Sequence, residues 1–244
     1  MTPHGAERFA RLDALRGAAI VWMVVFHFCF DLNHFGLFTP RQYFYADAFW
    51  TMQRTCIVSI FLFCAGLGQA LALQAQQGWP RFWRRWAQVA GCALLVSLGS
   101  AAMFPQTWIH FGVLHGLAVM LILARLAAPL RGWLWPAGAL ALALPHIVQH
   151  PLFDGMALNW TGLVTHKPRT EDYVPVFPWL GVMLFGLAAG QWLLARHRAW
   201  LDGRLLAAAQ PLAWLGRWPL TIYMLHQPLL IGLLWAAGFS PAQP

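Results

Sequence analysis

The chain contains few charged residues and a large excess of apolar ones. Only 10% of its 244 residues are Asp, Glu, Lys or Arg, whereas 59% are hydrophobic. Soluble domains carry roughly 25% charged residues, so this composition is typical of proteins that reside in a lipid bilayer. The 16 basic and 8 acidic residues give a formal charge of +8. The basic residues lie in short segments between apolar runs. This pattern is typical of residues that set the orientation of a membrane protein, and it argues against a nucleic-acid partner.

Short motifs of several enzyme classes are also missing. The sequence has no G-x-S-x-G, no P-loop, no G-x-G-x-x-G and no H-E-x-x-H, and each of these would indicate a specific chemistry. Its four cysteines form no C-x-x-C pair, so we interpret them as small apolar residues. A disulfide between Cys29 and Cys56 has no support in the sequence. We therefore predict neither a metal site nor a serine nucleophile.

Seven apolar segments predict an all-α integral membrane protein, a bundle of about seven transmembrane helices in a single domain over residues 1–244. Each segment is near the ~20 residues that cross ~30 Å of hydrocarbon. The predicted helices are about Asp13–Leu32, Gln53–Leu73, Trp86–Phe104, Phe111–Ala127, Gly132–Val148, Phe177–Ala195 and Pro211–Phe239. Proline residues interrupt the fifth, at 136 and 145, and predict a kink in the seventh, at 219 or 228.

The distribution of basic residues predicts the orientation. Twelve of the 16 fall in the N-terminal segment and every second loop after it, and such segments stay in the cytoplasm. The N-terminus is therefore predicted to be cytoplasmic and the C-terminus outside, in the cytoplasmic (inner) membrane of a bacterium. The longest segment outside the membrane is about Gln149–Val176, on the outer side.

The first predicted helix contains two ionisable residues, His27 and Asp31, within an apolar run. Such groups are costly at membrane depth and usually mark a functional site. Their spacing of four places them on one face of the helix. We predict that Asp31 fixes the tautomer of His27 and raises its basicity, which would make His27 a general base. The alternative is a purely structural pair.

Further polar residues are predicted to lie at the same outer level. His226, near or beyond the middle of the seventh helix, is the third catalytic candidate. The predicted substrate-binding residues are Arg54, His115, Asp172, Tyr173 and Gln227. Each has a structural alternative, such as a packed histidine, a helix cap or an aromatic residue at the membrane surface.

Two arginines on the predicted cytoplasmic side are candidates for binding the donor. Arg16 and Arg217 each adjoin a predicted helix and a glycine, Gly17 and Gly216. Glycine permits close backbone approach. The guanidinium groups would bind the phosphates of a donor such as a coenzyme A nucleotide. The alternative is a topology signal that also contacts anionic lipid headgroups.

Five segments together resemble a known family. They are LDALRGAAIVWMVVFHFCFDLNHFG, SIFLFCAGLG, FGVLHGLAV, DYVPVFPWLGVMLFGLAAG and LGRWPLTIYMLHQPLL. In this order they resemble small bacterial membrane proteins with the heparan-α-glucosaminide N-acetyltransferase catalytic domain. The resemblance implies a multi-helix enzyme that moves an acetyl group from cytoplasmic acetyl-CoA to an acceptor on the far side.

One catalytic residue of the family has no counterpart in this chain. The lysosomal member carries its proposed catalytic histidine in the loop after the first helix, where this chain has Tyr45 nearby. His27 is therefore our candidate base on its own chemistry, with a covalent acetyl-His intermediate as a second route.

The leading hypothesis is a membrane acetyltransferase without a metal. Its expected partners are membrane lipids, acetyl-CoA and a glycan or glycolipid acceptor, and the sequence leaves a homodimer open. The alternatives are a proton-coupled transporter or flippase-like protein that uses His27 and Asp31, and a non-catalytic scaffold.

Overall fold

The structure, a computed structural model, describes residues 9–240, and most of these residues are helical. Nine α-helices follow one another in the described chain. They are α1 Ala10–His34, α2 Ala48–Gln74, α3 Trp79–Met103, α4 Val113–Ala127, α5 Leu134–Ile147, α6 Val176–Arg196, α7 Arg198–Asp202, α8 Gln210–Leu215 and α9 Pro219–Ala236. Within residues 9–240 there is no strand, only an isolated bridge between Phe111 and Tyr173. The predicted all-α fold is confirmed, and Arg8, which entered the charge count, lies outside the described residues.

Six helical stretches are long and apolar enough to cross a membrane, which supports an integral membrane protein. One of them, Val113–Ile147, consists of two helices, α4 and α5. Between them Arg131 has a φ of 48°, a backbone conformation that is uncommon outside glycine.

The direction of the chain reverses between α4 and α5. Gly116, early in α4, lies against Val174 just before α6, and Gln191 late in α6 donates to the carbonyl of Ala128 just after α4. Helices α4 and α6 therefore run the same way. Gly138 of α5 lies against Phe185 of α6, and Leu142 lies against Gly181, so α5 runs the opposite way. The six candidate spans thus contain seven helices, which is consistent with the bundle of about seven that the sequence predicts.

Three helix boundaries differ from the prediction. Helices α2 and α3 begin at Ala48 and Trp79, about one turn or more before Gln53 and Trp86. Their first turns mix polar and aromatic residues, which a hydropathy window does not score as membrane-spanning. The predicted seventh helix is two helices, because the chain breaks at residues 216–218. The break precedes Pro219, which lacks an N–H and fits the first turn of α9. Helix α9 continues through Pro228.

The described chain divides into two compact units. The central unit contains residues 62–201, and the terminal unit contains residues 9–61 and 202–240 of the described chain. The boundary falls inside α2, and the predicted single domain stays a prediction. Two 3₁₀ turns, Pro151–Phe153 and Asn159–Thr161, lie in the connection between α5 and α6, where the long outer segment was predicted.

In the terminal unit, α1 packs very closely on α8. A Cβ on Gly17 would overlap the backbone of Leu212, and a Cβ on Gly216 would overlap the carbonyl of Asp13. The predicted close approach at these two glycines is confirmed. Arg16 joins the same segments, because its Nη1 donates to Asp13 Oδ1 at 3.0 Å and to the Gly216 carbonyl at 3.3 Å.

Aromatic packing fixes the C-terminal half of α1 and the loop after it. Met23, Phe26, Phe44 and Ile57 form a buried cluster, in which the rings of Phe26 and Phe44 meet edge to face at 5.6 Å. The buried Asn33 completes this region through two hydrogen bonds with the backbone of residue 42, at 2.9 and 2.8 Å. Cys29 and Cys56 are not joined by a disulfide.

Candidate active site

Two histidines from the two ends of the chain meet in the terminal unit. His27 Nδ1 of α1 lies 3.0 Å from His226 Nε2 of α9. On its other side, His226 Nδ1 lies 2.6 Å from the carbonyl oxygen of Tyr223. Helices α1 and α9 each supply one ring. Helix α8 directly precedes α9 and packs closely on the first half of α1, so the N-terminal ends of α1 and α9 are held near each other.

The hydrogen bonds of this pair assign a tautomer to each ring. A carbonyl oxygen only accepts, so Nδ1 of His226 carries the hydrogen and its Nε2 is the acceptor of a neutral imidazole. His27 Nδ1 must then be the donor of the 3.0 Å bond. The backbone carbonyl of Met23 also accepts a hydrogen bond from the His27 ring, and in this tautomer only the Nδ1–H group can donate it. The remaining nitrogen, His27 Nε2, therefore holds the lone pair. A neutral imidazole with a free nitrogen is the form that a general base requires.

A second pair crosses from α1 to α9 beside the first. Gln227 Nε2 donates to Asp31 Oδ1 at 3.1 Å. The predicted pairing of Asp31 with His27 is therefore wrong. The spacing of four does place both side chains on one face, but that face is directed at α9, so each meets the α9 residue opposite it. His226, not Asp31, orients the His27 ring.

Two acceptor atoms of the second pair have no donor. Asp31 is 2% exposed, and its Oδ2 and Gln227 Oε1 are buried without a hydrogen-bond partner among the described residues. Buried acceptors of this kind are rare, because each loses its hydrogen bonds to water without replacement. A ligand with N–H or O–H groups would supply the missing donors, so this position is suited to an amine or a hydroxyl.

The two predicted donor-binding arginines also lie in the terminal unit. The side chain of Arg16 is 24% exposed and ion-paired to Asp13. The hydrogen bonds described for it use Nη1, which leaves Nε and Nη2 available. Arg217 follows Gly216 directly and is exposed. Asp13 was missed at the level of the sequence, although its spacing of three from Arg16 is a recognised signal for a helical ion pair.

Arg54 is not joined to the His27–His226 pair. It is partly buried on the first half of α2, and no hydrogen bond of the described residues joins it to His27, Asp31 or His226. Its role in substrate binding stays a prediction.

Three other predicted substrate-binding residues form a separate hydrogen-bonded cluster in the central unit. Asp172 Oδ2 accepts from the backbone N–H of Val113 at 2.7 Å, at the first residue of α4. Both ring nitrogens of His115 are engaged, Nε2 with Ser97 Oγ at 3.0 Å and Nδ1 with the N–H of Gly112 at 3.3 Å. These contacts match the structural alternatives, a helix cap and a packed histidine.

Tyr173 belongs to the same cluster. Its hydroxyl donates to the carbonyl of Asn159 at 2.6 Å, and burial, with a smaller effect of the Asp154 charge, raises the pKa of Tyr173 to about 12. It is therefore a hydrogen-bond donor at all ordinary pH values. Substrate binding by His115, Asp172 and Tyr173, and their predicted location at the level of His27, stay predictions. The partners Ser97 and Asn159 were missed, since isolated Ser and Asn residues carry no spacing signal.

The cap at α4 gives a first test. Asp172→Ala removes the acceptor for Val113 N–H and a negative charge at a helix N-terminus, so we expect a loss of about 1–2 kcal/mol in the free energy of unfolding. Asp172→Asn keeps an acceptor oxygen and should lose less. Thermal unfolding of the purified protein in detergent measures both. A residue that only bound substrate would leave the unfolding temperature of both variants unchanged.

Comparison with known proteins identifies a family. Residues 8–228 match the family model described as heparan-alpha-glucosaminide N-acetyltransferase, catalytic. The matched region includes both cross-helix pairs and both arginines. No curated protein and no solved structure matches the chain. Among residues 9–240, no group of three or more His, Cys, Asp or Glu could hold a metal ion.

The match extends over most of the chain and supports catalysis rather than the transport or scaffold alternatives. With its apolar spanning helices, the chain belongs to the heparan-alpha-glucosaminide N-acetyltransferase catalytic-domain family, as an integral membrane protein with an acetyltransferase type of function.

Proposed function

We propose that this protein transfers an acetyl group from cytoplasmic acetyl-CoA to an amino or hydroxyl group of a sugar or glycolipid on the outer side of a bacterial inner membrane. The observation that carries the proposal is the His27–His226 pair, in which a neutral imidazole keeps Nε2 free inside a spanning helix. The family supports acetyl transfer. The donor, the acceptor and the membrane are the proposed parts.

His27 is the base of the proposed reaction. As the acceptor nitrogen or oxygen forms a bond to the thioester carbonyl carbon, its proton moves to His27 Nε2. The tetrahedral intermediate then loses the coenzyme A thiolate as the C–S bond breaks, and that sulfur takes the proton from His27. During this cycle the hydrogen bond from His27 Nδ1 to His226 becomes charge-assisted and therefore stronger. His226 thus stabilises the protonated base while it holds the ring in position.

Asp31 and Gln227 bind the acceptor in this proposal. Their free oxygens, Asp31 Oδ2 and Gln227 Oε1, are buried acceptors, and an amino sugar brings several N–H and O–H donors. Satisfying these atoms also orients the reactive group toward α1, on which His27 lies one helical turn before Asp31. An acceptor without donors would leave the oxygens unpaired and bind poorly.

Arg16 and Arg217 bind the phosphates of coenzyme A. Asp13 and the Gly216 carbonyl hold Arg16 Nη1, so the guanidinium is oriented before the donor arrives. Its free Nε and Nη2 present the two N–H groups that match a phosphate. Membrane lipids surround the helices, and a homodimer remains part of the expectation from the sequence.

The donor site is tested with acetyl-CoA alone. Arg217→Ala removes an exposed charge without a described structural contact, so we expect the Kd for acetyl-CoA to rise at least about 10-fold, as a charge-assisted hydrogen bond contributes roughly 1.5–3 kcal/mol. Calorimetry on the detergent-purified protein measures it.

Arg41→Ala, at an exposed arginine of the loop between α1 and α2, is the matched control and should bind acetyl-CoA as the unmodified protein does. Equal losses in the two variants, or no binding of acetyl-CoA by the unmodified protein, would contradict the proposed donor site.

A further inference from the structure

A groove runs along the surface between α1 and α9, within the terminal unit. Its volume is about 300 Å³. Most of its lining residues are aliphatic, namely Val24, Ile222, Leu225, Leu229 and Leu230, and Thr221 adds one hydroxyl group. His226, whose ring is hydrogen-bonded to His27, also lines the groove. The groove therefore connects an apolar surface of the protein to the proposed catalytic pair.

This groove is expected to face the hydrocarbon of the bilayer. Helices α1 and α9 are both candidate membrane spans. Leu225 and Leu229 are 51% and 60% exposed, which is the behaviour of side chains that face lipid. From Ile222 to Leu230 the groove follows about 12 Å of the α9 axis, at 1.5 Å per residue. Its shape and chemistry fit an extended hydrocarbon chain rather than a hydrated sugar.

We propose that the acetyl acceptor is a membrane amphiphile whose hydrocarbon chain lies in this groove and whose amino or hydroxyl head group lies at His27. The inference rests on the proposed acetyl transfer and names its substrate class, a lipid rather than a water-soluble glycan. A water-soluble acceptor would have to pass aliphatic walls to reach His226, whereas a lipid reaches them by lateral diffusion.

Asp31 and Gln227 do not line the groove, but they supply polar atoms for the head group in this proposal. Gln227 follows His226 in α9, and its Oε1 and Asp31 Oδ2 are buried acceptors without a donor. A chain in the groove would place the head group against these atoms. Hydrocarbon in the groove and hydrocarbon in the bilayer are equally apolar, so the groove contributes little affinity of its own. Its effect is to align the chain and so to position the head group, and a blocked groove should therefore reduce the use of lipid acceptors in particular.

The test compares two acceptors that share one head group. Methyl glucosaminide and dodecyl glucosaminide are offered with acetyl-CoA to the protein in lipid nanodiscs, and release of the coenzyme A thiol gives kcat/KM for each. We expect the kcat/KM of the dodecyl compound to be at least about 10-fold higher, because its chain holds it in the bilayer and so raises its effective concentration at the site. Leu225→Trp and, separately, Ile222→Trp fill the groove and should bring the two kcat/KM values close to each other.

Leu233→Trp is the matched control. Leu233 lies about two helical turns after Leu225 in α9. It is 66% exposed and is not a lining residue of the groove. This variant should keep the preference of the unmodified protein, since its indole would face lipid. A similar fall of the preference in Leu233→Trp would mean that the tryptophan acts through the membrane and would overturn the inference.

A binding measurement separates this inference from the proposed function. A dodecyl glucosaminide with a diazirine in its chain is photolysed with the protein, and cross-linked peptides are mapped by mass spectrometry. Cross-links at residues 222–230, competed by dodecyl but not by methyl glucosaminide, support the groove even if no acetyl group moves, and that result would contradict the proposed function alone. Acetyl transfer at equal efficiency to both compounds, with scattered cross-links, overturns the groove and leaves the proposed function standing.

Discussion

His27→Ala is expected to lower the rate of acetyl transfer by about 10²–10⁴-fold, the contribution typical of a general base. The variant loses the only nitrogen of the His27–His226 pair that is free to accept a proton. Folding should be retained, because His27 is only partly buried and its described hydrogen bonds are one to the His226 side chain and one to the Met23 carbonyl of its own helix. The measurement is kcat for release of the coenzyme A thiol, with the thermal unfolding temperature recorded beside it.

Two further variants separate a base from a structural residue. His34→Ala changes a histidine at the end of the same helix that is not part of the pair, and it should keep the full rate. His226→Gln keeps an oxygen that can accept from His27 Nδ1, so we expect a smaller loss than in His226→Ala. Acetyl transfer at the unmodified rate by folded His27→Ala would refute the assignment of the base.

Added imidazole gives an independent signal. In His27→Ala the space of the lost ring is open, and free imidazole in the assay should restore part of the rate with a dependence on the concentration of its neutral form. A purely structural histidine would show no such rescue of the rate. An acetyl-His intermediate would instead give a burst of coenzyme A release without any acceptor, which the base mechanism does not produce.

The sequence identified the residues of this site but not which of them are hydrogen-bonded to each other. His27 and Asp31 stand out because ionisable residues are rare in apolar helices, and a spacing of four correctly places them on one face. Periodicity says nothing about which residue lies opposite that face. His226 is 199 positions away from His27, so only the packing of α9 on α1 makes them neighbours. The same limit applies to His115 and Asp172, whose contacts with Ser97 and Val113 lie in the central unit and carry no spacing signal.

The fold was more accessible to sequence reasoning, for a physical reason. Long apolar segments have few options in a bilayer, because every backbone N–H and carbonyl must be satisfied within the segment. Apolar runs therefore predict helices directly, and the all-α prediction is confirmed. The ends were less well predicted, as at Trp79, because a helix that continues into the membrane surface becomes amphipathic. A kink at Pro219 was predicted, but the packing of Gly216, in the break at residues 216–218, against α1 is a contact that no local pattern contains.

That packing gives the second large effect, at Gly17 and Gly216. Alanine normally stabilises a helix interior by about 1 kcal/mol over glycine, and the φ of Gly216 is −63°, which any residue adopts. The backbone therefore favours or tolerates alanine at both positions. The added methyl group, however, would overlap the backbone of Leu212 in Gly17→Ala and that of Asp13 in Gly216→Ala. A backbone cannot move aside as a flexible side chain can, so α1 and α8 must separate.

We expect each of these two variants to lose about 3 kcal/mol or more in the free energy of unfolding, at the upper end of the usual cost of overpacking. Separation would also break the bond from Arg16 to the Gly216 carbonyl, so the folded fraction should bind acetyl-CoA more weakly. Gly232→Ala in α9 is the matched control, because a Cβ there meets nothing within 4 Å, and it should gain up to about 1 kcal/mol. Thermal unfolding and acetyl-CoA calorimetry measure the two effects. If Gly17→Ala and Gly216→Ala were as stable as Gly232→Ala, the close contact of α1 with α8, and the orientation it gives Arg16, would be wrong.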